Sequence, residues 1–432
     1  MPNGTPLRDR LAELLGGLVV LAVGTGWLLA PPAGFDGELS LFFVDIGQGD
    51  ATLVLGPEDS AGHRRSLLID AGDRRPDGGA IVGDLLDELG IDRLDYALLT
   101  HYDSDHMGGF VTVLSGGSSA STSLLWERDC QAQPTLPSEA IVDLGPTNKD
   151  NASIREWQRC VPEVTVAQGE PGTERVVVGD TDGDGAPENL GYTMNLGGGA
   201  QAMVVAGDGW VLGHEERIRW VNTANERSIA VWVSAAEDGF DALITGDLIG
   251  QRAGAENAPL EPALGETLAA VGIDIEVLQV GHHGAENASE EGFLAAIAPE
   301  VAVISAGDDN SHEHPRCATY QALAESASVT LVAQTEAGET DCPGSLPLQP
   351  RVANGTVRID AHADGYIVRT HGGVSPVDGT AVEPFELTCT LDAGCDETPD
   401  CCRTCTTSQA CGDGCIPLAS MCHQPPGCAC QG

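Results

Sequence analysis

The apolar run Tyr96–Leu99 stops at Thr100-His101-Tyr102-Asp103-Ser104-Asp105-His106-Met107-Gly108-Gly109, which places two imidazoles and two carboxylates within six residues. A buried strand ending in such a polar knot constrains the fold strongly. These side chains bind Zn, Mn or Fe, and the spacing His-x-Asp-x-Asp-His is dense enough to surround one ion and begin a second. The two glycines behind it let the backbone pass close to the site and open a helix. A solvated acidic loop would hold the same residue types, but it would not follow a strand directly and would stand alone.

The knot does not stand alone. Asp241–Gly246 reads as a short strand ending at Asp247. Ile275–Gly281 is a strand ending at His282-His283-Gly284, and Val301–Gly307 is a strand followed by a polar loop with His312 and His314. In a layered α/β protein, strand ends gather along one sheet edge and sites form there. Four strand ends carrying His or Asp are the ingredients of one binuclear centre.

In this order the motifs resemble the metallo-β-lactamase superfamily, and within it the hydrolase domain of ComEC-type competence proteins. Phe43-Val44-Asp45-Ile46-Gly47-Gln48-Gly49-Asp50-Ala51-Thr52 is similar to that branch's VDVGQGDA signature, and Leu67–Gly72 to its second strand. Thr100–Gly109 matches its THxDxDHxGG. Asn225–Ser228 with Leu243–Asp247 resembles its N..S..L…LLTGD segment, Gly281–Gly284 its HHG, and His314-Pro315 its late His-Pro. The resemblance covers Glu38 to Thr370 and implies an αββα sandwich, two sheets between outer helix layers.

Two departures from the wider superfamily matter. The usual His-x-His-x-Asp-His has Asp103 at its second His, as in the competence branch, which makes the first metal site richer in oxygen and shifts preference from Zn toward Mn or Mg. The middle His that many members place before the bridging Asp has no clear match; His214 is the only candidate.

The resemblance implies two divalent ions, Zn or Mn, held by His101, Asp103, Asp105, His106, Asp247 and one of His282 and His283, with Asp247 bridging. A metal-bridging hydroxide would attack phosphorus, since bound metals lower the pKa of water. Asp105 and His283 belong to the catalytic set, and the second His of the pair, or His314, would contact a phosphate oxygen or protonate the leaving group. Asp50 caps its turn or supports the metals from behind, and Asp70 orients a ligand His.

The chain has 432 residues, 65 acidic against 21 basic, for a formal charge of −44, and a single lysine, Lys149. That surface repels polyanions, so bulk DNA binding through a basic patch is not supported; the partner is a phosphodiester or other small ester. Residues 1–33 read as an export signal, with Arg8 and Arg10 before the mostly apolar Leu11–Ala30 and Pro31-Pro32-Ala33 behind it; the alternative is a retained membrane anchor. No other stretch reaches spanning length, so the membrane channel of ComEC proteins is not expected. The expected location is outside the cytoplasm: periplasmic, cell-surface or secreted.

Residues 34–375 form the expected hydrolase domain, interrupted by an irregular insertion at about 115–220 that overhangs the site. Within it Cys130 and Cys160 would pair, and Trp126, Trp157 and Trp210 would fill a subsidiary core. Asp180, Asp182 and Asp184, with Gly185 at the sixth position, follow a calcium-loop pattern, although Gly191 stands where a bidentate Glu would be; the alternative is an acidic surface turn. Val329–Ala333, Thr356–Asp360 and Gly365–Arg369 are expected to close the second sheet, with Cys317 and Cys342 pairing at its edge. Residues 376–432 form a Cys-rich module holding ten of the 14 cysteines. Disulfides suit an exported chain; Cys402-x-x-Cys405 and Cys411-x-x-x-Cys415 with His423 would instead hold zinc.

Three functions fit: an exported phosphodiesterase of nuclease-like type; a hydrolase of another ester, such as a phosphorylcholine esterase, lactonase or lactamase; and a non-catalytic surface protein with a structural metal site, in which the Cys-rich tail binds a target the sequence does not name. Retention of nearly the whole ligand set speaks against the third.

Overall fold

The computed structural model describes residues 39–114, 137–166, 173–218, 223–250, 260–391 and 394–395, apart from 76, 148, 236–238, 309, 363–364, 373 and 383, together with four short tail strands. Export-signal residues 1–33, Trp126, Cys130, Cys402 and His423 lie outside the described residues, as does the Cys160 side chain.

Leu39–Phe43 (β1), Thr52–Glu58 (β2) and Arg64–Ile69 (β3) form an antiparallel meander. Helix Gly78–Glu88 (α1) then leads to Tyr96–Leu98 (β4), parallel to β3. Two short helices follow, Ser104–Met107 (α2) and Phe110–Leu114 (α3), then Ala140–Asp143 (β5), helix Ala152–Val166 (α4) and Glu174–Val177 (β6), which extend the sheet in parallel. The chain crosses to a second sheet at Thr193–Gly197 (β7), Ala200–Gly207 (β8), Trp210–Val211 (β9), Ala230–Ala235 (β10) and Phe240–Ile244 (β11). Helices Leu260–Val271 (α5), Glu291–Ile297 (α6) and Cys317–Glu325 (α7) alternate with the parallel strands Val277–Gln279 (β12), Val301–Ile304 (β13), Leu331–Gln334 (β14) and Arg351–Val352 (β15). Finally Thr356–His362 (β16), Gly365–His371 (β17) and Glu386–Thr390 (β18) return to the first sheet.

The first sheet therefore runs β18-β17-β16-β1-β2-β3-β4-β5-β6 and the second β15-β14-β13-β12-β11-β10-β8-β7. β12, β13 and β14 are buried along their whole length, as strands covered on both faces must be. On one face of the second sheet Trp232, Leu243, Leu278 and Ile304 pack with Leu264 and Leu268 of α5, Phe293 of α6 and Leu323 of α7. Its other face meets the first sheet, where a Cβ on Gly56 of β2 would fall 1.8 Å from the Leu196 carbonyl oxygen of β7. On the far side of the first sheet Phe110 of α3 packs at a tilt against Trp157 of α4, 5.2 Å between ring centroids. This is the expected αββα sandwich.

Two expectations are corrected. The second sheet is closed by β14 and β15, whereas β16 and β17 belong to the first: β16 pairs antiparallel with β1, from Leu39↔Ala361 to Phe43↔Val357. A strand's alternation tells which faces are covered, not which sheet it joins. Nor is 115–220 an irregular insertion throughout, since β5 to β9 and α4 complete both sheets. The Gly, Asp and Pro between them hid the pattern. Trp157 and Trp210 are buried, as expected of core residues. Cys317 and Cys342 form a disulfide.

The chain divides into two compact units at Gly394/Cys395. In the second, Arg403–Cys405 pairs in parallel with Ala429–Gln431, and Gln409–Cys411 antiparallel with Gly414–Ile416. Among the described residues no helix is long and apolar enough to cross a membrane.

The seam β1-β16-β17 is tied by Asp360, fully buried. Its carboxylate accepts from Ser40 Oγ at 2.7 Å and Arg358 Nε at 2.7 Å and pairs with Arg369. Asp360→Ala leaves the two guanidiniums facing a cavity and should cost about 3 kcal/mol, read as a lower urea midpoint. Burial pushes the Glu261 carboxyl on α5 up to about 8 from 4.5. Between those values the folded state holds one more proton than the unfolded, so stability should fall as pH rises from 4.5 to 8. Glu261→Gln should flatten that part of a pH series of urea titrations.

Candidate metal centre

The ends of β3, β4, β11, β12 and β13 and the turn between β1 and β2 converge on one point. Asp70 follows β3 with φ 57°; His101, Asp103, Asp105 and His106 follow β4, the last two on α2. Asp50 stands just before β2, and its backbone N–H donates to the Asp105 carbonyl at 3.1 Å. That approach requires Gly49, at φ 140°, because a Cβ there would sit 2.3 Å from the Asp105 oxygen. Asp247 follows β11. His282 and His283 form a turn at φ 52° and 53° after β12, a left-handed geometry that costs about 1–3 kcal/mol per residue. Strain of this kind is held in place by surrounding contacts. Here the His283 ring donates to the Ser305 carbonyl at 3.1 Å, and the His282 ring bonds Asn287 at 3.0 Å.

Hydrogen-bond partners assign the imidazole tautomers. The Thr100 hydroxyl gives its proton to Asp70 Oδ2 at 2.6 Å, so towards His101 Nδ1, 3.0 Å away, it acts as acceptor. His106 Nδ1 donates to Asp70 Oδ2 at 2.8 Å, and His283 Nδ1 can only donate to a carbonyl. In their neutral form all three rings therefore present an Nε2 lone pair to the same space. His101 Nε2, His106 Nε2, His283 Nε2, Asp247 Oδ1 and Asp50 Oδ2 are buried without a hydrogen-bond partner. Buried polar atoms are rarely left so, and these are the donors a divalent ion takes. Asp50, His106, Asp247 and His283 offer ligand atoms all within 4.8 Å of one another.

Asp247 faces two donor sets. Its Oδ1 lies 3.1 Å from His106 Nε2 and 3.4 Å from His283 Nε2; its Oδ2 lies 3.6 Å from His101 Nε2. Asp105 Oδ2 is 3.5 Å from His283 Nε2, and Asp103 Oδ2 is 3.6 Å from His101 Nε2. His282 Nε2 also lies 3.7 Å from Asp247 Oδ2, but Asn225 Nδ2 stands 2.9 Å from it and donates to Asp247 Oδ2, also at 2.9 Å. Of the adjacent pair, His283 thus has the free nitrogen.

Charge reinforces the arrangement. Burial would lift Asp247, but His106, His283 and His282 hold its carboxyl well below the ordinary range. Burial likewise opposes ionisation of Asp105, and the bond to His283 overcomes it. Burial disfavours charge on His106 and His283, yet Asp247 raises both well above the usual imidazole value. Carboxylates that draw protons onto these nitrogens would draw a divalent cation in their place.

A cavity of about 310 Å³ opens on the cluster, lined among others by Gln48, Asp103, Asp105, Lys149, Asn225, His282, His312 and His314. His314 is buried, its Nδ1 unpartnered, and burial, with the nearby His282, His283 and His312, pushes its pKa down to about 3. His214 is not part of the site; its Nε2 meets Thr267 Oγ1 at 3.2 Å. Asn225 occupies the approach to Asp247 instead, and only its place in the Asn225–Ser228 segment hinted at that. Asp180, Asp182 and Asp184 are joined by Glu188. Several of their carboxylate oxygens accept from the loop's own backbone, as at Gly183, Asp184 and Ala186.

No protein-family model matches the chain. It is 25% identical over 315 residues to competence protein ComA of Neisseria gonorrhoeae, covering 73% of this chain and 33% of that protein. It is also 25% identical over 303 residues to ComE operon protein 3 of Bacillus subtilis (strain 168), covering 67% and 30%. The chain thus spans about a third of the length of these curated relatives. Among solved structures, a diphosphatase of the PhnP family aligns at 13% identity and TM-score 0.31, covering 62% of this chain and 85% of that one. A metallo-β-lactamase of Cronobacter sakazakii aligns at 16% and 0.27, covering 55% and 73%.

Removing the carboxylate behind His106 and Thr100 should loosen the centre. Asp70→Asn is expected to weaken Zn or Mn binding by about 10–100-fold in a competition titration, whereas His214→Ala should leave binding unchanged.

Proposed function

Starting from a metallo-β-lactamase fold whose curated relatives are competence proteins, we propose that the chain is a binuclear metal-dependent hydrolase of phosphodiesters. The observation that carries this reading is Asp247, whose two oxygens face different donor sets. His101, Asp103 and Asp247 Oδ2 would hold one ion; Asp105, His106, His283 and Asp247 Oδ1 the other, with Asp50 behind them. Bound there, two divalent ions would supply a water nucleophile at neutral pH and stabilise the entering and leaving oxygens. The oxygen-rich first set favours Mn over Zn.

The chain's own residues do the rest. Asp70, Thr100 and Ser305 fix the imidazoles so that each keeps a lone pair toward the cavity. Asn225 holds Asp247 Oδ2 and the His282 ring in one geometry. His314, neutral at neutral pH by its depressed pKa, suits a hydrogen bond to a phosphoryl oxygen better than delivery of a proton from an imidazolium. The Cys317–Cys342 disulfide supports an oxidising location outside the cytoplasm.

Hydrolysis of bis-p-nitrophenyl phosphate by the full chain loaded with Mn or Zn tests the reading. Turnover should vanish with EDTA, return with the metal, and fall at least about a hundredfold in Asp105→Ala and His106→Ala. A protein that binds two ions yet turns over nothing would refute it and leave the carboxylic-ester or non-catalytic readings.

A further inference from the structure

We infer that Lys149 is the anion-recognition residue of the cavity and sets its substrate class as small, singly charged phosphodiesters. This deepens, and rests on, the phosphodiester reading. Lys149 is the only lysine of a chain with formal charge −44, and it lies on the cavity wall, where no arginine is among the described lining residues. In so acidic a protein, the one permanent cation among the described residues of the cavity wall stands where an anion would enter.

The local chemistry supports recognition. The Lys149 ammonium pairs with Asp103 Oδ1, its one side-chain partner among the described residues. An ammonium has three donors, so two remain for a ligand. The side chain is 43% exposed and reachable from solvent. Its backbone is tied down, the N–H donating to Thr147 Oγ1 at 3.2 Å. Asp103 serves both partners without conflict: Oδ1 steers the ammonium, while Oδ2 faces His101 Nε2. A cavity of about 310 Å³ with one such cation suits a small phosphodiester, and the surrounding charge excludes a long polyanion.

The competing role is structural, with Lys149 present only to neutralise Asp103. Two readouts on the metal-loaded full chain separate them. Inorganic phosphate binding, measured by titration calorimetry, should weaken about tenfold in Lys149→Met, with bound metal unchanged by elemental analysis and most of the affinity restored in Lys149→Arg. The kcat/KM loss on bis-p-nitrophenyl phosphate should exceed that on the neutral dimethyl p-nitrophenyl phosphate by about the same factor. Loss of metal in Lys149→Met, equal losses on both esters, or unaltered phosphate binding would overturn the inference. Phosphate binding that depends on Lys149 in a protein without diester turnover would uphold the anion site and refute the phosphodiesterase.

Discussion

One carboxylate holds the centre together. Asp70 accepts the Thr100 N–H at 2.8 Å through Oδ1, and through Oδ2 it takes both the Thr100 hydroxyl and the His106 ring. It thereby fixes the end of β4, the tautomer of His106 and, through Thr100, that of His101. Asp70 sits at φ 57°, a conformation a non-glycine residue keeps only where its surroundings determine it. Three hydrogen bonds to a buried carboxylate are such surroundings.

Thr100 is also where the two sheets meet. Its carbonyl accepts from Ile229 N at 3.0 Å, next to β10. Gly246, at the end of β11, lies so close that a Cβ would be 2.8 Å from its hydroxyl. The strand ends of both layers are thus registered within one residue's reach. Hence Asp247 of the second sheet can face His101 and His106 of the first.

The contiguous knot was legible because its chemistry is local: four donors within six residues after a strand need no tertiary knowledge. The role of Asp70 also followed from its strand end. Three features were not legible for a common reason, that each depends on contacts between distant segments. Asn225 acts only because β11 and β12 bring Asp247 and His282 to it. What distinguishes His282 from His283 is their contacts with Asn225 and Ser305, from other elements. For Asp50 the sequence left a turn cap and a support behind the metals both open, because its nearness to His283, 3.6 Å away, arises from opposite sheets. The allegiance of β16 and β17 failed similarly, since β1, with which β16 pairs, lies far away in sequence, Leu39 facing Ala361.

The concentration of charge has a structural consequence. Asp50, Asp70 and Asp247 are buried, and Asp103 and Asp105 lie beside them. Taking so many carboxylates from water costs several kcal/mol per ion unless cations accompany them. Protonated imidazoles offset part of that cost, and Lys149 another part at the rim. The donors come from both layers: His101, Asp103, Asp105 and His106 from the first, Asp247 and His283 from the second. Divalent ions at this point would therefore bind the folded arrangement and not the unfolded chain, joining the two sheets at their open edge. The residues that would hold such ions would thereby make them part of what holds the sandwich closed.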